Sequence, residues 1–167
     1  MTSQVLDESH EARPAGEPRW LDAEEQKAWR AWLYSSLLLH DRLDRDLTHG
    51  TGISHAYYEI LVALSETPDR MMRMSELADR LLSSRSRLSH AVARLEERGW
   101  VRRQVCAEDG RGQLAVLTDE GFAALEAAAP VHVESVRVHL FDQLTPQQVA
   151  NMRDIGETLL RHLDPQD

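Results

Sequence analysis

"SSRSRLSHAVARLEERGW", Ser83 to Trp100, decides how this chain is read, because it gathers four arginines, a histidine and several serines in a protein whose formal net charge is -9. With Leu88 at the origin of a helical wheel, Val92 and Leu95 fall within about 40° of it, a narrow apolar stripe able to dock a helix on a core. The opposite face holds Ser86, Arg87, His90, Ala93, Arg94 and Glu97. Ser84 is placed to cap the N-terminus, and Gly99 to end the helix in the left-handed conformation. A small, polar and cationic face suits the major groove of DNA. Arginine can bridge a guanine's O6 and N7 or a phosphate, serine and histidine can bond to either, and Ser89 and Ala93 allow close approach. The free amides near Ser84 and Arg85 attract phosphate.

Working outward, Ser75 is expected to cap a short helix with Leu77, Ala78, Leu81 and Leu82 turned inward, which makes the pair a helix-turn-helix. After Gly99 the period changes from helical to alternating. "WVRRQVC" and "QLAVLT" read as strands, and "AEDGRG" between them as the connection of a hairpin, a wing. Arg111 at its tip is a minor-groove probe, with Asp109 two residues earlier to orient it. Upstream, a long helix is expected from Asp22 to about Leu47, stopped by "THGTG", and a second, capped by Ser54, to about Ser65; "ETPDR" then reads as a loop. Downstream, Thr118 caps a helix that Pro130 should kink. Thr145, Pro146 and Gln148 form a capping box before a last helix ending at Leu163.

The fold class that follows is mainly α with a small β-hairpin wing, in a chain of 167 residues. Residues 1–20 read as a disordered tail and 21–167 as one domain, with the winged helix-turn-helix at about 54–118. Between Arg70 and Thr118 there are ten arginines against six carboxylates, so the acidic excess belongs to the flanks and the middle is suited to an anionic partner. No apolar run approaches the roughly 18–20 residues of a membrane span, and the N-terminus lacks the pattern of a signal peptide. With Cys106 as its one cysteine, the chain is expected in the cytoplasm.

Other classes fare worse. No phosphate loop, Ser/His/Asp arrangement or metal-ligand spacing is present, so an enzyme is not expected, nor a cofactor or metal. His132 and His139 are seven residues apart on one helix, about 10.5 Å of rise, too far to share an ion easily. Cys106 is expected to be buried packing rather than a redox sensor. A winged helix used only for protein contacts is the alternative, disfavoured by cations on both the helix face and the wing tip.

"MSELADRLLSSRSRLSHAVARLEERGWVRR" and "AEDGRGQLAVLTDEG" together resemble the MarR family of winged-helix transcriptional regulators, over roughly Asp22 to Leu163. The resemblance implies a homodimer built from helices at about 22–47 and 119–163. It also implies two recognition helices in successive major grooves of a pseudo-palindromic operator, about 34 Å apart. Carried over by position, the DNA-binding residues are Ser84, Arg85, Ser86, Arg87, Ser89, His90 and Arg94, with Asp109 and Arg111 in the wing; His90 stands where several members have arginine. Members often release DNA on binding a small aromatic or phenolic effector, and Trp29, Trp32, His40, Tyr57 and Tyr58 are the candidates to line such a site, although apolar stripes are mostly core. The implied function is a repressor acting on double-stranded DNA.

Overall fold

The computed structural model describes residues 18–106 and 112–163, which fall into two compact units, 18–36 and 37–163. The helices are α1 (Ala23–Thr51), α2 (His55–Ser65), α3 (Met74–Arg80), α4 (Arg85–Glu97), α5 (Asp119–His139) and α6 (Pro146–Leu163). The strands are β1 (Met71–Arg73), β2 (Val101–Val105) and β3 (Gln113–Leu117). Among the described residues no helix is long and apolar enough to cross a membrane.

In the first unit, Asp22 caps α1 by accepting the amides of Glu24 and Glu25, and Glu25 reciprocates to the Asp22 amide, all at 2.8 Å. Trp29, Trp32 and Tyr34 stand exposed on this part of the helix.

In the second unit, Leu47, Leu61, Leu64, Leu77, Leu88, Val92, Leu95, Val101 and Leu125 form one core. The expected stop at Thr48 comes later. Gly50 remains helical with Val131 packed where a side chain would lie, and the helix ends at Gly52, whose φ of 73° is left-handed. Ser54 accepts the Tyr57 amide and starts α2 as read from the sequence.

Two expectations around α3 need correction. The helix begins at Met74, with Arg73 at the cap position and no side-chain capping bond, so Ser75 is not its cap. A strand that the sequence did not reveal, β1, runs directly into it, pairing Met71 with Val116 and Arg73 with Leu114. The sheet order is β1-β3-β2, so the wing hairpin is anchored by a third strand. Leu82 is not turned inward either, being 96% exposed. It takes the left-handed position (φ 48°) of a Schellman turn, in which its amide bonds to Asp79 O and that of Ser83 to Ala78 O.

α4 ends in the same motif, this time with Gly99 in the left-handed position (φ 74°), its amide bonding to Glu96 O and that of Trp100 to Leu95 O. β2 follows at once. Cys106 is buried beyond its end. Thr118 caps α5 by accepting the Gly121 amide, and its own hydroxyl donates to Gly99 O at 2.7 Å. α5 continues as one helix through Pro130. Thr145 and Gln148 exchange the two bonds of the expected capping box, and α6 then runs to Leu163 without one buried residue.

Candidate nucleic-acid interface

The α4 helix is held from beneath by Leu88, Val92 and Leu95, all buried, which fixes which face is presented. Arg85, Ser86, Arg87, His90 and Arg94 are exposed. Ser84 spends its hydroxyl on the helix itself, accepting the Arg87 amide at 3.2 Å. Ser89 is only partly exposed, because it lies against the wing strand. Arg94 donates to Glu97 at 2.8 Å, one turn on, an exposed pair that is weak in water. The C-terminal end of the helix is pinned by Arg98, which donates to Gly52 O at 3.2 Å and lies over the rings of Trp100 and Tyr57. Asp109 and Arg111, expected from the sequence at the wing tip, lie outside the described residues.

The five residues expected to meet an effector do not behave as one group. Trp29 and Trp32 are exposed in the first unit. Within the second, Tyr57 turns toward Arg98, whereas Tyr58 and His40 join a cluster that sequence periodicity did not single out. His55 lies at its centre, 6.1 Å from His40 and 5.4 Å from His132 between ring centroids, and Tyr58 is 4.6 Å from His132. A cleft of about 280 Å³ lies there, lined by His55, Tyr58, Glu59, Arg80 and His132 among others. Burial, with the neighbouring His55, holds the His132 imidazole below its ordinary range, and burial alone raises the Tyr58 hydroxyl. Both groups are thus biased toward the neutral form. His139 faces Asp46 instead, so the two histidines of α5 serve different neighbours.

A capped helix-turn-helix, a cationic second helix and a hairpin braced by a third strand are the parts of a winged helix. The family profile described as "MarR family" matches residues 51–112, which span α2, β1, α3, α4 and β2 and stop just before β3. The HTH-type transcriptional regulator PecS of Dickeya dadantii is 30% identical over 129 residues, spanning 77% of this chain and 76% of that one. The chain belongs to the MarR family.

Two solved MarR-family regulators from Streptomyces coelicolor show how far the likeness extends. Sco3205, solved in complex with DNA, is 51% identical with a TM-score of 0.83, covering 90% of this chain and 94% of its own. AbsC is 42% identical with a TM-score of 0.80, covering 89% and 100%. The protein is accordingly a MarR-family transcriptional regulator, and its mainly helical architecture with a winged hairpin is the MarR fold.

Proposed function

We propose that this regulator binds double-stranded DNA sequence-specifically, as a homodimer on a pseudo-palindromic operator, and represses transcription by occupying it. The observation that carries this is the exposed face of α4, where Arg85, Ser86, Arg87, His90 and Arg94 project from a helix whose other side is locked into the core. The Sco3205 structure, half identical in sequence and holding DNA, supports the same partner.

Dimerisation is supported by apolar surface left open on a single chain. Ile155, Leu159, Leu160 and Leu163 are exposed on α6, a helix with no fully buried residue. Release by a small aromatic or phenolic ligand is the corresponding switch. The His55, Tyr58 and His132 cleft offers ring faces and neutral hydrogen-bonding groups for it, with His40 beside His55.

Selection of bound sequences from a random duplex pool tests the reading. It should return an inverted repeat bound by two chains, with affinity falling steeply as salt rises and a scrambled duplex competing poorly. Equal competition by the scrambled duplex, or a flat salt response, would overturn it. Repeating the binding with a panel of phenolic and aromatic acids tests the switch, and retention of DNA across the whole panel would count against it.

A further inference from the structure

One arginine beside the recognition helix faces inward. Arg103, in the middle of β2, donates from Nη2 to the Ser89 carbonyl at 2.6 Å, and the same nitrogen lies 3.3 Å from Ser89 Oγ. Its backbone amide donates to Glu96 Oε1 at 2.8 Å. Its Nε faces the other carboxylate oxygen of Glu96 at 3.4 Å, as an ion pair rather than a directed hydrogen bond. The two side chains retain only 26% and 31% of their exposure. By contrast, the adjacent Arg102 is exposed and bonds to Gln104 two residues along its own strand.

Ser89 and Glu96 are seven residues apart on α4, which places them on one flank and about 10.5 Å apart along the axis. A single strand residue therefore holds the helix at two points, with guanidinium Nη2 at one and its backbone amide and guanidinium Nε at the other. Arg103 also pairs with Ala115 of β3, so the grip continues into the stem of the wing. Two contacts spaced along a helix resist rotation in a way that one contact does not.

We infer that Arg103 is a positioning residue: through Ser89 and Glu96 it sets the angle between α4 and the wing stem, so that helix and wing address the duplex as one rigid reader. This rests on the DNA-binding reading above. Bidentate contact to a base edge demands that the side chain arrive in the right place and plane, and phosphate attraction demands much less. Loss of the grip therefore costs discrimination more than general affinity. Glu96 is part of the grip, so a carboxylate close to the DNA face assists specific binding despite its charge.

The test uses the full chain and two duplexes, the one most enriched by the wild-type protein and its scrambled counterpart, across a salt series. Glu96→Gln should lower the ratio of specific to scrambled affinity at least about tenfold while the scrambled duplex binds as well or better; removing a negative charge would by electrostatics alone tighten both. Arg103→Ala should lose the same ratio with an unchanged salt slope, whereas loss of a phosphate-contacting cation lowers that slope by about 0.9. Arg103→Lys, which keeps the charge but not the planar fork, should fall between. Thermal melts identify any variant that fails to fold; if Arg103→Ala does, Glu96→Gln and Arg103→Lys decide the matter. The inference is overturned if Glu96→Gln leaves the ratio unchanged, or if Arg103→Ala weakens both duplexes equally with a reduced slope. Failure of the wild-type protein to enrich any sequence would instead overturn the DNA-binding reading itself.

Discussion

His139 Nε2 lies 2.8 Å from Asp46 Oδ2, joining the end of α5 to α1 across 93 residues of sequence. The same carboxylate oxygen accepts the hydroxyl of buried Ser135 at 2.7 Å. These bonds, that of Ser135 foremost and that of His139 next, hold the Asp46 carboxyl below its ordinary value of 3.8, against the opposing effect of burial. A depressed folded-state value means that the unfolded chain binds the proton more readily. The stabilisation is therefore complete above about pH 3.8 and is lost as pH falls through the lower folded value. Asp46→Ala, which leaves the Ser135 hydroxyl without its partner, should cost about 1–3 kcal/mol in urea unfolding at pH 7. It should also flatten the acid limb of the stability curve, and an unchanged limb would show that the link does not contribute.

Gly121 is the second place where a small change has a large expected effect. A Cβ there would lie 2.1 Å from the Trp100 carbonyl oxygen and 2.8 Å from Leu117 Cδ1. That carbonyl already accepts the Thr118 amide at 3.0 Å, so it cannot retreat without breaking the junction between wing and α5. Gly121→Ala should destabilise by the upper part of the about 1–3 kcal/mol range typical of overpacking. Urea midpoints measured beside Thr118→Ala, which removes the cap and the hydroxyl's bonds to Gly99 O and Trp100 O without adding bulk, separate steric from hydrogen-bonding loss. Equal midpoints for wild type and Gly121→Ala would show that the junction is looser than this geometry implies.

The arginines of α4 should differ in what they read. Arg87 projects from the first turn, whereas Arg94 is drawn toward Glu97. Arg87→Ala should lose about 1–3 kcal/mol of operator binding and relax preference at one base position, if it reads an edge. A uniform loss across operator variants, with a shallower salt slope, would assign it to phosphate. Glu97→Gln frees Arg94 and should tighten binding to specific and scrambled duplexes alike; weaker binding would mean that the pair orients Arg94.

What could be read from the sequence was local. The Leu88, Val92, Leu95 stripe, the Ser84 and Thr118 caps, Gly99 and the Thr145 capping box each depend on residues within a few positions of one another, and each is present as read. β1 escaped because three residues carry no period, and its pairing with β3 spans more than forty positions. Leu82 was misassigned because its spacing fits the apolar face, while the left-handed turn that expels it shows no glycine. The His40, His55 and His132 cluster exists only once α1, α2 and α5 meet. Arg103 looks from sequence like one more cation of an alternating strand, and its inward role depends on a carboxylate from the preceding helix.

α6 has a further consequence. An 18-residue helix with a sound capping box but no fully buried side chain has little tertiary packing to hold it, and packing of an amphipathic face supplies most of a helix's stability in a protein. In the proposed homodimer its order is then set by mass action. Dilution that separates the two chains of that dimer should fray α6, so folding of this segment and assembly become one equilibrium, read from how helicity changes with protein concentration.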